Sequence, residues 1–255
     1  QRGRLPLLTH RSFSEGGPCT GTVIWLACRR VPGRVPDAAS GNAYEIIPPG
    51  RYRQPVTTLN PDYQMNRSFY EGMKFEKARF QEKALETGDY ENCAFTNCDF
   101  SNSDLSDLNF IECEFQGCNL SLTKLINTSF KETRFINCKL LGLHFEDCNR
   151  LIFSFEFDGC TLDLCSYNKL NLKKTRFKNS KLIEVDFTET DLKDSSFTNC
   201  DLNRTIFKNT NLEGVDFRTS FNYSIDPDLN RIKKAKFSLS GIAGLLDKFD
   251  IEIEK

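Results

Sequence analysis

Eleven cysteines, two histidines and an abundance of carboxylates are the side chains of this 255-residue chain that could do chemistry. Thiolates could hold zinc or cross-link the chain, imidazole could relay protons, and paired carboxylates could act as acid and base. Their spacing argues against each. No CxxC occurs, and no HExxH, P-loop, GxGxxG or Ser/His/Asp order is present. The acidic residues recur too regularly for one glycosidase-like pair to stand out. Nine of the cysteines (Cys93, Cys98, Cys113, Cys118, Cys138, Cys148, Cys160, Cys165 and Cys200) fall on a five-residue beat. His144 falls one place before a beat centre, where its ring is expected to face solvent, and His10 lies outside the beat. The sequence therefore predicts no catalytic, cofactor-binding or metal-binding residue and no enzyme activity.

The element that positions these residues is the beat itself. Large apolar residues stand at every fifth place from Phe75 to Phe145 and again from Phe157 to Phe217. A period of five is neither the 3.6 of a helix nor the 2.0 of a strand. Two places before each centre stands a slimmer residue, such as Cys98, Ser103, Cys118, Thr128, Val185 or Thr210, and the other three places are mostly polar. Each unit thus offers one bulky and one slim inward side chain. Four units close a square coil of about twenty residues, and successive coils stack as parallel strands about 4.8 Å apart. The cysteines then read as slim interior fillers, since free Cys packs as a small hydrophobe. Reduced thiols of this kind suit a reducing cytosol.

Cys98-Asp99-Phe100-Ser101-Asn102, Cys118-Asn119-Leu120, Cys200-Asp201-Leu202-Asn203-Arg204 and Thr210-Asn211-Leu212-Glu213-Gly214 carry a family likeness. Over roughly residues 70–240 the chain resembles the pentapeptide-repeat proteins, whose units read A(D/N)LXX. The resemblance implies an all-β fold, a right-handed quadrilateral parallel β-helix. The Qnr and MfpA-like branch of that family further implies DNA mimicry towards type II topoisomerases (DNA gyrase and topoisomerase IV), with quinolone protection in some members. Apart from Tyr223–Asn230 near the end of the repeats, the long outward loops common in the quinolone-protecting members are missing here.

Three segments depart from the beat. Residues 1–64 hold eight Arg and no Lys against four acids, are rich in Pro and Gly, and show no repeat. They are expected to be a disordered or linker-like leader, either vector-derived or translated upstream of Met65, with an Arg-rich partner-binding arm as the alternative. Between Phe145 and Phe157 twelve residues replace ten, so a two-residue bulge between two coil stacks is expected near 148–156, with a tolerated local irregularity of no role as the alternative. After Phe217 the beat falters, and Tyr223–Asn230 is expected to loop outward. The repeat domain thus runs from 65 to 240. Beyond it, a helix over about 241–248, N-capped by Ser240, is expected to seal the open end, with a short strand at Ile251 and Ile253. Ile242, Leu245, Leu246 and Phe249 would share its apolar face. By the Qnr and MfpA resemblance this face makes a homodimer; end-capping alone is the alternative.

Binding, not turnover, is what such a surface offers. Residues 84–123 contain no Lys or Arg and carry eight acids. Of these, Glu86, Asp104 and Asp107 are expected to flank one edge, with Asp89, Glu91 and Glu112 beside it. This acidic stripe could compete for a groove built for DNA phosphates, or simply keep the protein soluble. Against mimicry, residues 151–255 are nearly balanced, with sixteen basic and seventeen acidic side chains. The expected partner is a protein, a type II topoisomerase being the one that the Qnr and MfpA resemblance implies, and direct nucleic-acid binding is not expected. Val23–Ala27 is too short for a secretory apolar core, and no apolar stretch approaches the ~20 residues of a membrane span. A cytoplasmic protein is expected.

Overall fold

The computed structural model describes residues 67–150 and 153–252; the leader reading of 1–64 lies outside them. Each five-residue unit is one side of a coil. In a unit such as Cys98–Asn102 the slim residue and the centre point inward, the residue between them points out, and the fifth turns the corner. That fifth residue takes a left-handed backbone, as at Asn97 (φ 52°) and Gly117 (φ 63°). Asn, Asp and Gly adopt this conformation at the least steric cost, which is why they recur there. A short turn closes the corner, as where the Ser103 amide donates to the Phe100 carbonyl at 2.9 Å.

The next turn of chain arrives about twenty residues later and pairs in parallel. Ala94–Thr96 pairs with Glu114–Gln116, which pairs in turn with the longer strand Ser129–Ile136. All strand pairs among the described residues are parallel, and the ten strands form one continuous sheet. Parallel sheets are buried on the side that carries their apolar residues. Here that side is the interior of the coil, where equivalent centres pile into columns. Phe75, Phe95, Phe115, Phe135, Phe157, Phe177, Phe197, Phe217 and Phe237 form one column, with centroids 4.6–5.4 Å apart and planes within 17°. Neighbouring columns meet them edge-on, as at Phe110 and Phe115 (5.3 Å, 73°). Both geometries are favourable for aromatic quadrupoles.

The slim residues do more than fill space. Most Cys, Ser or Thr side chains at these positions donate to the carbonyl of a centre one turn plus three residues earlier, although the Ser103 hydroxyl has no partner. Cys98 donates to Phe75 (3.3 Å), Cys118 to Phe95 (3.2 Å), and Cys138 to Phe115 (3.2 Å). Thr123 donates to Phe100, Thr128 to Leu105 and Thr210 to Phe187, each at 2.8 Å. The nine cysteines of the described residues are all buried and free. Burial holds the Cys165 and Cys200 thiols protonated, each pushed up to about 12.

The register break is absorbed inside one coil rather than separating two. Phe130 pairs with Phe153 at an offset of 23 residues and Thr133 with Phe155 at 22, so the register is already displaced at Phe153 and shifts back by one residue within this strand pair. Either side of the bulge the columns run on: Phe135 stacks on Phe157 at 5.3 Å and Phe145 on Tyr167 at 4.6 Å. The ladder spacing is maintained because the insertion sits on a single face.

The far end departs further from expectation. Tyr223, Ile225 and Asn230 turn inward and are buried, so Tyr223–Asn230 is not an outward loop. Asn230 takes a slim position, donating to the Phe207 carbonyl and accepting from the Thr210 amide, both at 2.9 Å. The closing segment is two tight 3-10 turns, Leu239–Leu245 and Asp247–Phe249, instead of an α-helix. Its cap is Ser238, whose hydroxyl accepts from the Gly241 amide at 3.1 Å. The tight path has a steric reason. A Cβ at Gly241 would lie 2.2 Å from the Tyr223 hydroxyl, and one at Gly244 would lie 2.1 Å from the Tyr223 carbonyl oxygen. The segment therefore lies flush on Tyr223, and the Ile225 amide donates to the Gly244 carbonyl at 2.8 Å. Ile251 is not in a strand, and Ile253 lies outside the described residues.

Two substitutions test this packing by chemical denaturation. Cys118→Ser keeps the donor and is expected to be tolerated, whereas Cys118→Val removes it and is expected to cost about 1 kcal/mol more. Tyr167 is fully buried, and its hydroxyl has no partner. Tyr167→Phe is accordingly expected to stabilise the protein by about 1–2 kcal/mol.

Candidate partner-binding surface

The six acids of the expected stripe do not form one uninterrupted edge. Asp107 lies at a corner with Glu86 one register place short of it on the preceding turn, Asp89 and Glu91 lie on the face that follows, and Glu112 lies at that face's far corner. Asp104 sits on the face before the corner, pairing across the ladder with Lys124. Cations from neighbouring turns reach into the stripe. The Arg67 guanidinium bonds the Asp89 carboxylate at 3.0 Å and the Asp107 carbonyl at 2.6 Å. Lys124 approaches Asp104 at 4.0 Å. Asn109 and Asn127 donate to the Asp89 and Asp107 carboxylates at 2.6 and 2.7 Å, and the Tyr70 hydroxyl donates to Glu86. Glu91 and Glu112 keep their charge outward, and Glu91 stands in register with Glu71 on the preceding turn. Hydrogen bonds from Ser106, aided by Lys124, hold the Asp104 carboxyl below its ordinary range. The stripe is thus anionic but partly compensated, because a sequence window free of cations still has neighbours twenty residues away.

That rule runs along the whole surface. Arg134 pairs with Glu114 (2.7 Å), Arg176 with Glu156 (2.8 Å) and Arg204 with Glu184 (3.1 Å), each across one turn. Exposed pairs of this kind contribute little to stability, but they fix which charges remain free for a partner.

The end segment places its apolar residues differently from a helix. Leu245 packs against the core and Leu246 is half-buried, while Ile242 and Phe249 are exposed. Lys248 fastens the segment to the inward-turning stretch by bonding Asp226 at 2.7 Å and also Asp228. Asp226 and Lys248 each hold the other ionised, the carboxyl below and the ammonium above its usual value. Sequence reading missed this clamp because its acids and base lie twenty residues apart.

His144 faces solvent as expected, with Nδ1 3.0 Å from a Glu146 carboxylate oxygen. Among the described residues no group of three or more His, Cys, Asp or Glu could hold a metal ion. A cleft of about 400 Å³ opens where the register shifts, lined by Arg134, Phe153, Phe155 and Lys174 among others. Among the described residues no helix is long and apolar enough to cross a membrane.

The clamp predicts a pH window. Asp226 stabilises the end above the ordinary carboxylate pKa near ~3.9, and this is lost as pH falls through its depressed value. Lys248 stabilises it below the ordinary lysine pKa near ~10.4, and this is lost as pH rises through its raised value. Between these limits Lys248→Ala is expected to speed hydrogen exchange in residues 239–249 while leaving the Phe95 to Phe197 core unchanged.

Comparison with known proteins agrees with this geometry. The sequence model of a family described as a pentapeptide repeat region matches residues 88–155 and 150–222. No curated protein matches the chain. A solved structure of a trypsin-treated variant of QnrB1, described as a plasmid-mediated fluoroquinolone resistance protein, matches with a TM-score of 0.50 at 18% identity. That match covers 72% of this chain and 99% of the other. HetL, from the cyanobacterium Nostoc sp. strain PCC 7120 and described as involved in heterocyst differentiation regulation, matches with a TM-score of 0.38 at 13% identity, covering 68% and 87%.

Proposed function

We propose that this chain, which belongs to the pentapeptide-repeat family, is a non-enzymatic scaffold that binds a protein partner through its acidic edge. The observation that carries the reading is the division of labour between inside and outside. Every thiol of the described residues is buried in the coil interior, so no nucleophile faces a substrate there. The exterior is a fixed lattice of charges. On that lattice Glu86, Asp89, Glu91, Asp104, Asp107 and Glu112 form the candidate contact, with Glu91 and Glu112 contributing the least compensated charge. A rigid lattice loses little entropy on binding, which favours recognition by charge pattern.

A second reading makes the partner a type II topoisomerase, with the acidic edge standing in for duplex phosphates. The shared coil fold with QnrB1 supports considering it. Duplex DNA carries one charge per ~1.7 Å of axis, a denser array than carboxylates on rungs spaced like strands. Partial compensation by Arg67 and Lys124 weakens the mimicry further, so the scaffold reading takes precedence.

Supercoiling by purified DNA gyrase, with and without ciprofloxacin, tests the second reading when titrated with the full chain. Absence of inhibition, of rescue and of binding would remove the topoisomerase and leave the scaffold. If gyrase binds, Glu86→Lys, Asp104→Lys and Asp107→Lys combined are expected to weaken binding at least tenfold. Unchanged binding would remove the acidic edge as the contact.

A further inference from the structure

The left-handed corner positions are filled by Asn, Asp, Glu, Lys, Arg or Gly, with two exceptions among the described residues: Leu122 and Leu164. A bulky side chain is strained in that conformation. Both leucines are also exposed, at 57% and 54%. They occupy the same corner of the coil on either side of Gly142. A Cβ at Gly142 would lie 2.9 Å from Leu122 Cδ2, so the glycine leaves a notch beside that leucine. Leu141 and Ile183 flank the notch, tied in by the Leu122 amide on the Leu141 carbonyl and the Leu164 amide on the Ile183 carbonyl, both 2.9 Å. An outlier that costs both strain and apolar exposure is a reason to look for function.

The charges around this corner point to the chemistry of its occupant. The acids are engaged within the chain. Asp163 accepts from the Ile183 amide, Glu184 bonds Arg204, Glu146 bonds His144 and Asp186 accepts from the Thr188 amide. Lys139 and Lys181, exposed on the adjoining face on either side of Thr161, have no ion pair among the described residues. The corner therefore presents aliphatic surface beside two lysines that no ion pair holds, with its carboxylates fixed by bonds within the chain. The end segment presents the opposite. Ile242, Phe249 and Ile251 are exposed there, as are Asp247, Asp250 and Glu252, and the one cation, Lys248, is held by Asp226 and Asp228.

We propose that the Leu122–Leu164 corner receives the apolar, acidic end segment of a second copy of this chain, with Lys139 and Lys181 meeting its carboxylates. Joining two end segments face to face would instead bring Asp247, Asp250 and Glu252 against their own images, a like-charge contact. End against corner joins two different surfaces, so the contact is heterologous and each added copy leaves another end and corner open. The small patch places the contact in the weak, concentration-dependent class.

Sedimentation velocity of the full chain, from low micromolar to several hundred micromolar, tests this. The weight-average mass is expected to rise past two copies without a plateau. Leu122→Asn with Leu164→Asn relieves the strained backbone, so the melting temperature should hold or rise while association weakens at least tenfold. Lys139→Glu with Lys181→Glu, and separately Asp250→Lys with Glu252→Lys, are each expected to weaken association about tenfold. Combining all four charge changes in one chain should restore it. A chain that stays monomeric throughout would overturn the proposal. So would a plateau at two copies that the corner substitutions leave unchanged, or a fourfold charge variant no better than its parents.

Discussion

The spacing between successive turns is the constraint on which the rest of this structure depends. Parallel backbone ladders hold equivalent residues at a strand spacing of about 4.8 Å. Stacked rings need nearly the same separation, and the Phe75 to Phe237 column meets it at every step. A thiol or hydroxyl on a slim residue then reaches the carbonyl of the turn below, as Cys118 reaches Phe95. One repeat length thus satisfies backbone bonding, aromatic stacking and side-chain bonding together. This explains why Cys, Ser and Thr interchange at the slim positions: each is small enough for the interior beside a bulky centre and each carries a donor.

The insertion after Phe145 shows how the constraint distributes tolerance. Two extra residues are accommodated on one face because the other three faces keep their ladder and their columns. The closing end shows the opposite limit. There Tyr223 fills the last layer, and only a glycine-bearing, tightly wound segment can lie against it. The interior therefore decides what the end can be, and the end in turn decides which apolar residues are left for other molecules.

Surface charge follows the same vertical logic. Neighbours in space are twenty residues apart in sequence, so Arg134, Arg176 and Arg204 each compensate an acid on the turn before. The acidic edge is defined less by how many carboxylates it contains than by which ones the adjacent turns fail to compensate. Glu91 and Glu112 remain, while Asp89 and Asp104 are shared with Arg67 and Lys124. By the same test Lys139 and Lys181 are among several described lysines that no ion pair holds.

The coil itself, its columns and the burial of the cysteines were legible in the residues alone, because a period of five with alternating bulk has only one way to bury its apolar side. The left-handed corners two places after each centre, against which Leu122 and Leu164 stand out, became visible only in the backbone. The sequence by itself thus determined the repeat and its interior. Only the tertiary structure decided the inward turn of Tyr223 and Asn230, the 3-10 winding over Gly241 and Gly244, the Lys248 clamp and the pairing of Arg67 with the acidic edge. These depend on contacts between turns, and a linear pattern records which residues recur but not which partners the stacking brings within reach.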